Sequence, residues 1–174
     1  MIAPLSLSNI LTLFMAVACL LSIVPQARGE GVKLWRVAVP PGFASAQALV
    51  LLAGVFDATF VHDAEWLAGG VVGAVLGRMR GWALSFDVDR TRGLIKVQPS
   101  IDIHLAAIGL VVLAAIDFMS ASFEDPVVPT DFVAAGAALL AGYLGCRALA
   151  IAVRVSRAAS TTPSTPAGTS LPPS

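Results

Sequence analysis

The sequence predicts an all-α membrane protein, a five-helix transmembrane bundle with a short cytosolic β-hairpin between the third and fourth helices. The first observation is composition: 57% of the 174 residues are hydrophobic, 13% are charged, and the mean hydropathy is +0.84. Soluble domains carry about 25% charged residues. The other two observations are five apolar stretches separated by polar loops and a one-sided distribution of lysine and arginine.

The five apolar stretches are long enough to cross a bilayer, because a hydrocarbon core about 30 Å thick needs about 20 residues of helix. They cover about residues 5–24, 42–60, 64–81, 101–119 and 132–155. Pro40 and Pro41 suit the entrance of the second span, and Ser100 is a candidate N-cap for the fourth. We therefore predict one transmembrane domain over residues 1–157.

The third predicted span has the shortest apolar core, since only residues 66–77 are free of charge and four of these are glycines. Trp66 and Trp82 bracket this core, as interfacial aromatic residues do. Arg78 and Arg80 can extend their charged groups from the last turns to water. The alternative is a re-entrant or tilted segment that does not cross the membrane fully.

The distribution of basic residues predicts the orientation. If five spans alternate in direction, all eleven lysines and arginines fall on one side, while the opposite loops at 61–65 and 120–131 hold none. The positive-inside rule makes the basic side cytosolic, with the N-terminus outside and the C-terminus in the cytosol. Residues 1–18 contain no basic residue, which favours a retained first helix over a cleaved signal peptide.

Two segments outside the spans differ from them in composition and pattern. Apolar residues alternate over 82–88, a turn follows with Gly93 able to adopt a left-handed conformation, and 94–97 can return as a strand. A lone hairpin is marginal in water, so we expect its apolar face to rest on the membrane or on the underside of the bundle. Residues 158–174 are small, polar and proline-rich and are predicted to be disordered.

Small residues form candidate packing faces. Gly69, Gly73 and Gly77 lie at four-residue spacing along one face of the third helix, where a neighbouring helix can approach closely. The fifth span offers a matching row of small residues at Ala138, Gly142 and Cys146. Tight packing within the chain is the main interpretation. Homodimerisation through this face and a pathway lined by backbone are the alternatives.

Two acidic residues inside spans are candidates for an ion or proton relay. Asp57 and Asp117 share a predicted depth near the outer interface, and ionisable residues within spans are often functional. The alternative is that both are interfacial carboxylates that reach the outer water. Arg147, in the fifth span, is expected to extend to the cytosolic water. Ser100, Asp102 and His104 are interpreted as capping and interfacial polar residues.

The remaining motifs exclude several classes of function. The outer loops carry His62, Asp63, Glu65, Glu124 and Asp125, but their spacing matches no metal motif, and a solvated rim explains them.

Cys19 and Cys146 lie in apolar spans and form no C-x-x-C pair. We predict no metal site, no cofactor and no catalytic residue. A net charge of zero argues against a nucleic-acid partner.

Three features carry a resemblance to a known family. They are a basic, apolar run at 33–43 that contains Pro40 and Pro41, a glycine-rich helix at 66–78 that ends in arginine, and the hairpin at 86–97. Together they resemble CcdC-like proteins and related bacterial families of multi-pass membrane proteins. The resemblance covers about residues 30–157. It implies a bacterial cytoplasmic (inner) membrane protein that is linked to cytochrome c maturation.

Two functional hypotheses follow. The first is a non-enzymatic accessory factor in membrane or cytochrome c assembly, since the chain lacks a thiol pair that could carry electrons. Its hairpin would dock another membrane protein, and the candidate docking residues are Trp82, Phe86, Arg90 and Arg92. The second hypothesis, from a different class, is a small proton- or cation-coupled transporter that uses the two acidic residues near the outer interface. A membrane enzyme is the third.

Overall fold

The computed structural model describes residues 7–54, 60–89, 92–120 and 128–160. The elements in chain order are α1 Leu7–Ala27, β1 Val32–Lys33, α2 Leu34–Val37, α3 Val39–Gly54, α4 Phe60–Ala83, β2 Phe86–Asp89, β3 Leu94–Val97, α5 Ile101–Ser120 and α6 Thr130–Ser160. The expected helical bundle with a small sheet between its third and fourth long helices is confirmed.

Four helical segments of the described chain are long and apolar enough to cross a membrane: α1, α2 together with α3, α5, and α6. The remaining long helix, α4, carries charged residues near both ends and is not among the four. Helix α6 runs to Ser160, so Ala158–Ser160 are helical where the sequence predicted the start of a disordered tail. The rest of that predicted tail, 161–174, lies outside the described residues.

Helices α4 and α6 run parallel and touch along their backbones. A Cβ atom added to Gly69, Gly73 or Gly77 would lie less than 3.0 Å from the carbonyl oxygen of Ala135, Leu139 or Tyr143, respectively. Real Cβ atoms essentially never come so close to another heavy atom. Each of these three positions therefore requires glycine, and the contact repeats every fourth residue on both helices.

The partner face on α6 differs from the predicted one. The glycines of α4 meet the main chain of α6 beside residues 135, 139 and 143, because a stripe without side chains lets a backbone fill the space directly. Of the predicted row, Gly142 does approach α4, since a Cβ there would also lie less than 3.0 Å from the Gly70 carbonyl oxygen. Together with Gly142, Ala138 and Cys146 also line a groove between α3 and α4.

The main core lies between α1, α3, α5 and α6. Its largest fully buried apolar side chains are Ile23 and Leu110, and many of their neighbours are alanines, which let the helices approach closely. The buried Gln47 side chain donates from Nε2 to the Leu110 carbonyl oxygen at 3.0 Å, linking α3 to α5. Thr12 near the start of α1 contacts Asp117 near the end of α5, so these two helices are antiparallel.

The sheet has three strands rather than the predicted two. Its order is β1-β3-β2, with both pairs antiparallel, and the register places Val32 and Val88 on either side of Ile95. Strand β1 comes from the segment between α1 and α2, which the sequence presented only as a polar loop. Gly93 in the hairpin turn has a φ of 62°, in the left-handed region.

The predicted first strand began too early. Helix α4 continues through Trp82 to Ala83, and β2 begins only at Phe86. The sheet rests on the bundle, because Leu84, Ile95 and Val97 form a buried cluster with Ile151 of α6. The C-terminal half of α6 therefore supports the sheet.

The α4–α6 contact predicts that Gly73→Ala destabilises the protein. The new methyl group has no room beside Leu139, and overpacking of this kind costs about 1–3 kcal/mol. Gly70→Ala is the matched control on the same helix, because a Cβ there meets nothing within 4 Å and alanine favours a helix by about 1 kcal/mol. Thermal unfolding in detergent should give a lower Tm for the first variant only. Equal Tm values would contradict the described contact.

Candidate functional site

A buried arginine lies at the centre of a polar cluster between α4, α5 and α6. Arg147 of α6 is 3% exposed, and burying a charge is costly unless it is paired. Its Nε lies 3.3 Å from Asp102 Oδ2 of α5, and its Nη2 donates to Ser100 Oγ at 3.2 Å. The expectation that Arg147 extends to the cytosolic water is therefore wrong. Its side chain turns inward because the carboxylate at the start of α5 neutralises it.

Asp102 joins three helices. The Tyr143 hydroxyl of α6 donates to its Oδ2, and Nε of Arg80 from α4 lies 3.5 Å from the same oxygen. The carboxylate sits in the first turn of α5, where the helix dipole favours negative charge. Asp102 is therefore more than the capping residue that the sequence suggested. It fixes the start of α5 against α4 and α6.

The charges of this cluster are only partly balanced. Two guanidinium groups, Arg80 and Arg147, face one carboxylate, so the cluster keeps one excess positive charge. Arg80 is 47% exposed and reaches the solvent side, whereas Arg147 is enclosed. The excess charge consequently lies toward the surface, and the buried part of the cluster is a neutral pair. Such an arrangement suits a structural clamp between helices.

A second arginine joins the end of α4 to the sheet. Arg154 of α6 donates from Nη1 to the carbonyl oxygens of Gly81 at 3.0 Å and Leu84 at 2.5 Å. Basic side chains commonly satisfy the last carbonyls of a helix in this way. The guanidinium carbon also lies 4.6 Å from the centre of the Phe86 ring and 6.0 Å from that of Trp82. This cap explains why α4 continues past the predicted strand start.

The predicted docking residues do not form one surface. Trp82 belongs to the last turn of α4 and also lies 5.8 Å from the Arg157 guanidinium. Phe86 packs partly buried against the cluster beneath the sheet. The Arg92 amide donates to Asp89 Oδ1 at 3.2 Å across the hairpin turn, and its side chain is exposed. Arg90 lies outside the described residues.

The structure describes one of the two candidate relay residues. Asp57 lies outside the described residues. Asp117 is partly buried against α1, where Thr12 Oγ1 donates to its Oδ2 at 3.5 Å. The structure therefore places one of the two carboxylates in a polar contact within the bundle.

The outer acidic residues and the cysteines form no cluster in the described chain. Asp63 and Glu65 are exposed on the first turns of α4, whereas Glu124, Asp125 and the His62 side chain lie outside the described part. Within that part, no three His, Cys, Asp or Glu residues lie close enough to hold a metal ion. The thiol of Cys19 is buried and donates to the Pro40 carbonyl oxygen at 3.4 Å, and Cys146 is likewise free of a disulfide.

The sequence contained a signal for the buried cluster. Tyr143 and Arg147 are four residues apart and so share one face of a helix. Asp102 and Arg147 have opposite charges and lie in two spans near the same predicted membrane surface. Ionisable residues within spans usually pair with one another, so these two residues were natural partners. Distance along the chain hid this pairing.

Comparison with known proteins adds no relative. No family model, no curated protein and no solved structure matches the chain. The resemblance to CcdC-like proteins therefore stays a prediction from the sequence features at residues 33–43, 66–78 and 86–97.

The cluster predicts strong coupling between its buried partners. Arg147→Met should cost about 3–5 kcal/mol, because it leaves the Asp102 carboxylate without its enclosed partner. Asp102→Asn should cost a similar amount, and the double variant should lose clearly less than the sum of the two. Arg80→Gln is the control, since an exposed pair contributes only about 0–1 kcal/mol. Unfolding free energies in detergent measure all four, and additive losses would contradict the pairing.

Proposed function

We propose that this chain is a five-span membrane protein with a non-enzymatic accessory role in membrane or cytochrome c assembly. The rigid bundle holds the three-stranded sheet at the cytosolic surface, where it binds a partner protein. The observation that carries this proposal is the fixing of the sheet to α6, through the cluster around Ile151 and the Arg154 cap.

The surface of α4 supports its assignment as the fifth span. The face that does not contact α6 exposes large apolar side chains, namely Leu67, Val71, Val72, Val75, Leu76 and Met79. A continuous stripe of this kind suits lipid better than water. With α4 parallel to α6, the five long helices alternate in direction. The basic residues then share the side of the membrane that holds the sheet, which the positive-inside rule makes cytosolic.

The docking surface is the exposed face and outer edge of the sheet. Asp87 and Lys96 lie opposite each other on the exposed face. Strand β2 is an edge strand, and within the described chain no further strand pairs with its outer side. Such an edge can accept an extended segment from another chain. We therefore assign the partner as a protein that supplies an extended segment.

The use of the ionisable side chains favours a non-enzymatic role. In the described part of the chain, Arg147 is the only buried charged residue, and it is paired with Asp102. Arg154 is likewise engaged with the end of α4. These groups hold helices and sheet in place, so they are structural rather than poised for acid–base chemistry.

A deletion strain tests the proposed pathway and the docking surface together. Haem staining of membrane c-type cytochromes should fall without this gene, and the wild-type chain should restore it. Lys96→Glu should restore less than half of the staining, because it reverses an exposed charge on the docking face. Asp63→Asn, an exposed charge at the opposite end of α4, should complement fully.

Two results would count against this proposal. Unchanged staining in the deletion strain would remove the link to cytochrome c. Full complementation by Lys96→Glu, with normal protein levels in the membrane, would remove the exposed sheet face as the docking surface.

Transport is the second candidate function, and the polar contact between α1 and α5 favours it. Thr12 is 1% exposed and donates to Asp117. A carboxylate held in this way inside a bundle can take up a proton or cation, and Asp57 would be the second group of such a relay.

The transporter hypothesis predicts that Asp117→Asn and Asp57→Asn each abolish ion-dependent flux in proteoliposomes. Amide side chains keep the size and polarity of the carboxylates but do not bind a proton at the pH values at which a carboxylate does. Asp63→Asn serves as the control for a general effect of charge loss. Two mutants with wild-type flux would remove the motivation for a transporter.

A further inference from the structure

A groove between α4 and α6 at the sheet-bearing end combines basic and apolar walls. Its α6 wall follows one helical stripe, and Arg78 and Trp82, four residues apart on one face of α4, form the other. The cavity volume is about 220 Å³, and the α6 stripe consists of Cys146, Leu149, Ala150, Val153 and Arg157.

The basic residues give the groove a preference for anions. Arg78 comes from α4 and Arg157 from α6, so both sides of the groove contribute a guanidinium group. Arg157 lies 5.8 Å from the centre of the Trp82 ring, which keeps its charge at the mouth of the groove. Guanidinium groups bind phosphate oxygens through two parallel hydrogen bonds. Two arginines that line one groove therefore favour a phosphate group as the anion.

The apolar residues of the groove favour a ligand that also has a hydrocarbon part. Leu149 is 62% exposed in α6, a helix long and apolar enough to span a membrane. On α4, Leu76 and Met79 are exposed apolar side chains within two residues of Arg78. A free phosphate ion would leave this wall uncovered, whereas a lipid acyl chain would cover it. Trp82 lies beside these basic residues, and tryptophan is enriched at the level of the lipid headgroups.

We propose that this groove binds one anionic phospholipid, with its phosphate between Arg78 and Arg157 and an acyl chain along Leu149 and Val153. Basic residues next to a span attract anionic lipids at the cytosolic leaflet. The bound lipid joins α4 to α6 below their glycine contact and beside the sheet. The inference rests on the proposed crossing of the membrane by α4, which sets the depth of the groove.

Native mass spectrometry of the full chain tests this proposal. The protein is purified in a mild detergent and titrated with phosphatidylglycerol, phosphatidylcholine or inorganic phosphate. The wild-type chain should retain phosphatidylglycerol in preference to phosphatidylcholine. The double variant Arg78→Gln/Arg157→Gln should lose at least about tenfold in affinity, because two charge-assisted contacts are removed. Arg28→Gln, an exposed arginine outside the groove, should bind as the wild type does.

A second variant separates a lipid from a soluble anion. Leu149→Gln keeps both arginines but replaces part of the apolar wall, so it should weaken phosphatidylglycerol binding severalfold. Leu149 is exposed, so this variant also carries the test if the double variant does not elute as a monodisperse protein. Wild-type affinity in Leu149→Gln, or displacement of the lipid by millimolar inorganic phosphate, would overturn the proposal.

Equal retention of both lipids by the wild type would overturn it as well. A separate measurement tests whether α4 crosses the membrane. If it does not, cysteines placed at 63 and 92 would be labelled from the same side of the membrane.

Discussion

The backbone contact between α4 and α6 is the constraint on which the rest of the structure depends. Among the described long helices, α4 is the one not apolar enough to count among the four candidate spans, so hydrophobic burial alone would not hold it. Gly73 and Gly77 bring its backbone against the carbonyl oxygens of Leu139 and Tyr143 instead. Packing of this kind depends on shape rather than on the exclusion of water, and it is the force available between helices in lipid.

The same contact sets the positions of the polar groups. With α4 held against α6, Arg80 reaches Asp102 from one side while Arg147 reaches it from the other. Two turns beyond Arg147 on α6, Arg154 meets the last carbonyls of α4 and the Phe86 ring. The sheet is thereby fixed to the long helix α6. A sheet fixed to the bundle is the basis for the proposed docking role.

The fold could be predicted from the sequence where a signal within one short segment was sufficient. Apolar length gave the long helices, and Gly93 between two apolar runs gave the hairpin turn. Strand β1 was missed because two residues carry no pattern, and Trp82 was placed in a strand because the Arg154 cap that extends α4 comes from 72 residues further along the chain. The Asp102–Arg147 pair was hidden for the same reason. Local patterns report helices and turns, whereas contacts between distant segments decide where those elements end and which charges meet.

Labelling of single cysteines in the full chain tests most directly whether α4 crosses the membrane beside α6. Asp63→Cys and Arg92→Cys, each in a background with Cys19 and Cys146 replaced by alanine, place one exposed thiol beyond each end of the α4 core. A membrane-impermeant maleimide added to spheroplasts should label position 63 at once and position 92 only after lysis. Labelling of both positions before lysis, or of neither, would contradict the five-span bundle.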